Sequence, residues 1–274
     1  TPEGLAKAVD TCEKNGIDGI VTIGGDGTFR GATDLSRLGI PCIGVPGTID
    51  NDISATDYTV GYDTAKNTVI EMVDRLRDTC ESHARCNVVE VMGRSAGYIA
   101  IDCGIAVGAS GIAIPEIPFD KEKLMADMIK HSHEGKRNFI VMVSEGMGKN
   151  FSEELTAEIE EKTGIETRLA RLAHVQRGGS PSCEDRLIAT QMGAKAVDLL
   201  LEGKYNLVVC YNKGKICVEE MEYAFQLDRI VKNKATKEEL DALDPSEKND
   251  MLARAFEKKA HFEYLYHLAE TISI

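Results

Sequence analysis

The chain reads as an α/β protein built on mostly parallel sheets, and three observations predict this. Short apolar runs rich in Val and Ile alternate with amphipathic helical stretches along most of the 274 residues. The runs are nearly continuous rather than alternating, as in strands covered on both faces. Two of them end in turns carrying glycines and carboxylates, at 24–28 and 46–52. In an open α/β sheet, ligands bind outside the carboxyl ends of the strands.

In chain order, Leu5, Ala8, Val9 and Cys12 are helix-spaced from the start, and Thr1 stands without Met, so the sequence reads as beginning inside a domain. Strands are expected at 17–23, 40–45 and 87–92. Between the last two, Ala65, Val69, Met72, Val73, Leu76 and Cys80 form an apolar stripe, with Glu71, Asp74, Arg75 and Asp78 off it. Helices at 95–107, 121–133, 152–162 and 182–201 interleave with strands at 111–115, 138–144 and 207–211. From Glu219 the tail is charged and helical in pattern, with a turn and helix start at 244–247, and reads as a packing helix with a solvated face. The strand count suits two sheets, hence two Rossmann-like lobes with flanking helices and a cleft between them.

Composition narrows the function. A net charge of −13 argues against nucleic acid or an anionic membrane as partner. No apolar run approaches the ~18 residues of a membrane span. Eight cysteines without a C-x-x-C pair point to a reducing, cytoplasmic setting, with no disulfide framework and no zinc site. Phosphate substrates would then need local arginine-rich pockets.

The two loops carry the chemistry. A strand, a glycine turn and a helix together cradle phosphates on a helix N-terminus, although a tight turn alone also needs small residues. Asp26 beside phosphates makes sense with a metal present. In 46–52, Thr48, Asp50 and Asp52 alternate with Ile49 and Asn51 and would face one way in an extended loop. One carboxylate could take a hydroxyl proton while another holds charge or metal nearby; a plain capping loop with Asx-turns is the competing reading.

Four strings, G-G-D-G-T at 24–28, P-G-T-I-D-N-D at 46–52, V-V-E-V-M-G-R at 88–94 and H-V-Q-R-G-G-S-P at 174–181, resemble the ATP-dependent 6-phosphofructokinase family of bacterial type. The resemblance runs from about Leu5 to about Tyr211. It implies phosphoryl transfer from MgATP to fructose 6-phosphate. Asp50 would accept the proton of the 1-hydroxyl, with Thr48 and Arg94 also catalytic and Asp52 flanking the transfer path. Gly25, Asp26, Gly27 and Thr28 would touch ATP, and Asp26 would hold Mg²⁺. Thr48, Ile49, Asp50, Met92, Gly93, Arg94, Glu145, His174, Val175, Gln176 and Arg177 would contact the sugar phosphate. Arg85 and Arg168 would reach it from a neighbouring subunit, implying a homotetramer. Gly27 and Gly47 stand where pyrophosphate users carry Asp and Lys, which leaves room for a nucleotide.

The resemblance also implies lobes of 1–61 with 176–226 for nucleotide, and 62–175 with 227–274 for sugar phosphate. The family has an upstream strand and glycine-rich loop that do not precede Thr1, so the chain is expected to be N-terminally truncated, to bind ATP poorly and to have little or no activity alone. Arg77 and Lys136 match the family's effector pocket, but Ser110 and Glu134 depart from it, and a reversed charge at Glu134 opposes an anionic effector. A pyrophosphate-dependent enzyme and a non-catalytic sugar-phosphate-binding subunit stay open. A kinase of NAD or lipids shares only the first string.

Overall fold

The computed structural model describes residues 1–272. In chain order its elements are α1 (Pro2–Lys14), β1 (Ile20–Gly24), α2 (Asp26–Arg37), β2 (Cys42–Pro46), α3 (Tyr62–His83), β3 (Cys86–Val91), α4 (Tyr98–Ala106), β4 (Gly111–Ala113) and α5 (Lys121–His133). There follow β5 (Phe139–Ser144), a 3₁₀ turn (Glu145–Met147), α6 (Phe151–Thr163), β6 (Thr167–Arg171), a second 3₁₀ turn (Ala173–Arg177), α7 (Cys183–Leu201), β7 (Leu207–Asn212), β8 (Lys215–Glu220), α8 (Met221–Val231), α9 (Lys237–Asp241) and α10 (Pro245–Ile272). They form two four-stranded sheets in two compact units. The α/β class and the mostly parallel pairing are as the sequence predicts.

The first unit comprises Thr1–Thr48, Ile53–Gly61 and Cys183–Lys259, with sheet order β1-β2-β7-β8. β1, β2 and β7 are parallel, and β8 pairs antiparallel with β7. Alternate residues feed two cores. Cys42, Val208 and Cys210 meet Phe29 and Ala32 of α2, Met221 and Ala224 of α8, and Cys12 of α1. Ile43, Val45 and Val209 meet Ile188, Met192, Ala196 and Leu199 of α7. Helices therefore cover both faces, and the central strands read as unbroken apolar runs.

The second unit comprises Ile49–Asp52, Tyr62–Ser182 and Ala260–Ile274, with sheet order β4-β5-β3-β6, all parallel. Val88, Val141 and Val143 pack on Leu124, Met125 and Met128 of α5 and on Leu155 and Ile159 of α6. On the other face α3 packs on β3 and α4 on β4 and β5. Gly104 of α4 lies so close to Ile112 and Met142 that a Cβ there would overlap the Ile112 side chain.

The unit boundaries differ from the sequence expectation. Residues 176–182 fall in the second unit, and 227–259 pack in the first. The cause of the latter is a separate apolar cluster, in which Leu227 and Ile230 of α8 bury against Met251 and Ala255 of α10. The short segment 49–52 belongs to the second unit although Thr48 belongs to the first. Glu219 and Glu220 lie in β8, so the helical tail begins at Met221.

Candidate active site

In the first unit, β1 and β2 pair in register from Ile20↔Cys42 to Gly24↔Pro46, so the two loops leave neighbouring strands at the same rim. The Gly47 N–H donates to the Gly24 carbonyl at 3.0 Å, and a Cβ on Gly25 would lie 4.0 Å from that of Thr48. Gly25 is the N-cap of α2, which places Asp26, Gly27 and Thr28 in the first turn; the Thr28 N–H is taken up by the Gly25 carbonyl at 3.0 Å, and the positive end of the helix favours an anion there. A Cβ on Gly27 would meet nothing within 4 Å, whereas one on Gly47 would meet Ile23 Cγ2 at 2.8 Å. Thr48 lends its carbonyl to the Thr59 hydroxyl at 2.6 Å.

Asp26 is half-buried and accepts from Arg30 Nε at 3.0 Å, one helical turn on. That bond holds the Arg30 guanidinium above its ordinary pKa despite some burial. No cluster of three or more His, Cys, Asp or Glu side chains suited to a metal occurs among the described residues. Asp26 thus offers one carboxylate, which suits an ion that takes its other ligands from water and from the phosphates it accompanies.

In the second unit, the adjacent strands β5, β3 and β6 release their chains at the same edge. After β3 come Met92, Gly93 and Arg94; after β5, Glu145; after β6, the turn from Ala173 to Arg177. Glu145 Oε1 accepts the Gly93 N–H at 3.1 Å and the Arg94 N–H at 2.7 Å. Gly93 has φ +147° and Arg94 +55°, and a Cβ on Gly93 would approach the Ala96 carbonyl to 2.5 Å. Only glycine tolerates that conformation. The carboxylate thus secures a loop whose backbone is costly to hold.

Asp50 is 4% exposed. Arg94 Nε reaches its Oδ2 at 3.2 Å while the guanidinium stays largely in solvent. The loop carrying Asp50 is not extended: it turns at Ile49 and Asp50, and Asn51 has φ +51°. The expected alternation of Thr48, Asp50 and Asp52 is therefore not realised. Asn51 accepts the left-handed conformation that Asn tolerates better than most residues, and Asp50 turns inward while Thr48 and Asp52 stay half-buried.

His174, Val175 and Arg177 are exposed, but Gln176 is 1% exposed. Its Oε1 accepts the Met92 N–H at 3.3 Å and its Nε2 donates to the Ala173 carbonyl at 3.1 Å. Ser144 lies outside all four strings, yet it braces both loops. It is buried, donates to the Ala96 carbonyl at 3.1 Å and accepts the Gly146 N–H at 3.3 Å. Its sequence signal is a serine capping the turn after an apolar strand.

Arg85 and Arg168 lie elsewhere. Both bind Glu166, Arg85 at 2.6 Å, and hydrogen bonding from Arg85 holds that carboxyl below its usual range. Arg85 precedes β3 and Arg168 pairs with Asn87, so both sit at the strand starts, at the opposite end of β3 from Arg94; the five steps of β3 alone span ~16 Å at ~3.3 Å per residue. Of the effector-pocket matches, Lys136 Nζ bonds Ser110 Oγ at 3.2 Å, and burial, with Arg77 adding to it, depresses the lysine pKa. Glu134 is the exposed C-cap of α5.

The phosphofructokinase family model matches residues 1–200. The chain belongs to the phosphofructokinase family. It is 53% identical over 204 residues to the ATP-dependent 6-phosphofructokinase of Bacillus pumilus (strain SAFR-032), covering 74% of this chain and 63% of that one. It is 48% identical over 223 residues to ATP-dependent 6-phosphofructokinase 1 of Clostridium perfringens, covering 81% and 69%. The chain thus spans less than two thirds of the length of the Bacillus relative. Among solved structures, Saccharomyces cerevisiae phosphofructokinase superposes with TM-score 0.78 at 30% identity, over 92% of this chain and 39% of that one. A pyrophosphate-dependent phosphofructokinase from Marinobacter aquaeolei gives 0.69 at 26%, over 79% and 62%.

Proposed function

We propose that this phosphofructokinase-family chain serves an ATP-dependent 6-phosphofructokinase, transferring the γ-phosphoryl group of MgATP to the 1-hydroxyl of fructose 6-phosphate. The observation that carries this reading is the joint placement of buried Asp50, its partner Arg94, and Glu145 at one strand edge of the second unit. Asp50 takes the 1-hydroxyl proton as the oxygen attacks the γ-phosphorus, and ADP leaves with the bond it breaks. Arg94 supplies the counter-charge that a buried carboxylate needs, and its solvent-facing guanidinium can grip an oxyanion. Met92, Gly93, Glu145, His174, Val175 and Arg177 surround the sugar phosphate, with Thr48 and Ile49 beside the transfer path. Gln176 supports Met92 from behind.

Gly25, Gly27 and Thr28 at the α2 N-terminus receive the ATP phosphates. Asp26 would hold Mg²⁺ once Arg30 yields; the ion supplies charge neutralisation on the phosphates. The open surface at Gly27 and the near 50% identity to ATP-dependent relatives support ATP over pyrophosphate. Arg85 and Arg168, away from Arg94, act on the 6-phosphate of a neighbouring copy in a homotetramer. The first unit is the nucleotide lobe and the second the sugar-phosphate lobe. A cytoplasmic location accords with eight free thiols and with the lack, among the described residues, of any helix long and apolar enough to cross a membrane.

Calorimetric titration of fructose 6-phosphate into this chain tests the reading. Saturable binding is expected, weakened about tenfold or more by Arg94→Ala and by Arg177→Ala, as befits loss of a charge-assisted contact. No binding, or binding indifferent to both changes, overturns it. Equilibrium dialysis with ATP and with pyrophosphate separates the donors; binding of pyrophosphate alone overturns the choice of ATP.

A further inference from the structure

The antiparallel β7–β8 pair sets Cys210 directly opposite Cys217. Both thiols therefore project from one face of the sheet, the face packed on α2 and α8. Directly opposed residues in such a pair have Cα atoms about 4.5–5.5 Å apart, inside the roughly 4.4–6.8 Å that a disulfide spans. The hairpin turn is tight: Lys213 and Gly214 have φ +51° and +79°, which fixes the register and hence the opposition.

The two sulfurs differ in their surroundings. Cys210 is 0% exposed, beside Met221 and Ala32. Cys217 is half-buried at the margin of the same cluster. Its Sγ accepts a hydrogen bond from Asn212 Nδ2 at 3.4 Å. Arg254 of α10 lies nearby, bonded to Glu219 Oε1 at 2.7 Å. The Cys210 thiol opposite is the main influence on Cys217 and draws its thiol down to about 7, against burial and Glu219; Arg254 and Asn212 assist. The Cys217 thiol, with burial, pushes Cys210 well up. Elsewhere burial raises Cys103 to about 12 and Cys86 further. Cys183 is exposed. A reactive thiol with reach to solvent and a second, shielded thiol opposite it are the two parts of a resolving pair.

We propose that Cys210 and Cys217 form a peroxide-responsive dithiol site. The Cys217 thiolate attacks one oxygen of a hydroperoxide; an S–O bond forms, the O–O bond breaks, and the other oxygen leaves as hydroxide or alkoxide and takes a proton. The Cys210 sulfur then attacks the resulting sulfenic sulfur, the S–O bond breaks, and the hydroxyl leaves as water with the Cys210 proton. The dithiol has lost two electrons and the peroxide has gained them. A small-molecule thiol reverses the step by exchange. The site lies beyond residues 1–200, the part matched by the family model, and does not depend on the function proposed above.

The test exposes the native chain, in a Cys183→Ala background, to hydrogen peroxide, then unfolds it with an alkylating agent and maps the thiols by mass spectrometry. The expected product is about 2 Da lighter, with Cys210 and Cys217 both protected from alkylation and both recovered after dithiothreitol. In Cys210→Ser, the same treatment should leave a sulfenic acid on Cys217, captured by a cyclic 1,3-diketone. Oxidation of Cys217 to sulfinic acid with Cys210 still alkylatable, disulfides only between chains, or two thiols unchanged under peroxide that oxidises Cys183 in the parent chain would each overturn the proposal.

Discussion

Gln176→Leu separates a residue that touches substrate from one that acts through the backbone behind it. Gln176 is 1% exposed, and both ends of its amide are engaged, with the Met92 N–H at 3.3 Å and the Ala173 carbonyl at 3.1 Å. Leucine fills a similar volume but restores neither bond. The Met92 N–H sits in a residue 6% exposed, so it is left buried without its acceptor. A deserted buried group costs about 1–3 kcal/mol, whereas the Ala173 carbonyl, in an exposed residue, regains water and costs little. A loss of about 1–3 kcal/mol moves the melting temperature down by roughly 2–12 °C for a domain of this size. Calorimetric melting of the wild type, Gln176→Leu and Gln176→Glu reads it. Glutamate keeps an acceptor for Met92, so it should recover much of the loss. Fructose 6-phosphate affinity should fall in step with loss of order at Met92, Gly93 and Arg94. An unchanged melting temperature together with a sharp loss of sugar-phosphate affinity would refute this reasoning and assign Gln176 a direct contact.

Gly93→Ala should fail to fold or melt far lower, because φ +147° and an Ala96 carbonyl at 2.5 Å leave no room for a Cβ; a melting temperature within a degree of wild type contradicts the geometry. Gly27→Ala, with nothing within 4 Å in the first turn of α2, should stabilise by about 0.5–1 kcal/mol while weakening ATP; unchanged ATP affinity counts against its place in the phosphate loop. Cys217 faces Cys210 of β7, Glu219 of β8 and Arg254 of α10, and its iodoacetamide rate should rise through pH about 7. Its folded pKa lies below the ordinary value of 9.0, so Cys217 contributes stability that is fully present above about pH 9 and lost as pH falls through about 7, while Cys210, pushed up in the fold, works the other way as pH rises past 9; a rate midpoint near 9 removes the basis for the thiolate.

Much of the fold was legible because covered parallel strands leave an unbroken apolar signature. Six expected strands correspond to β1–β5 and β7, and the expected helix at 121–133 coincides with α5. β6 and β8 escaped for a physical reason. β6, Thr-Arg-Leu-Ala-Arg, ends its sheet and spends its arginines on Glu166, Glu90 and Glu153 rather than on a core. β8 is an edge strand with three charged side chains, and its signal was the Lys213-Gly214 turn rather than periodicity. In the candidate site, Asp50, Arg94 and Glu145 were readable as residue types in familiar strings. Gln176 looked like its neighbours in the string but turned inward, because a 3₁₀ turn places successive side chains on different faces.

The order of strands and helices, the glycines where chain must pass close to chain, and membership of a kinase family were determined by the sequence itself, since each follows from local spacing and local backbone preference. Tertiary structure alone decided which neighbours share an edge. Strand order in the second sheet sets Glu145 on the amides of Gly93 and Arg94, 52 and 51 residues away. An apolar cluster draws 227–259 into the first unit, and antiparallel register sets Cys210 against Cys217. Such pairings depend on which apolar surfaces can be buried together over long separations, and no local window of sequence contains that choice.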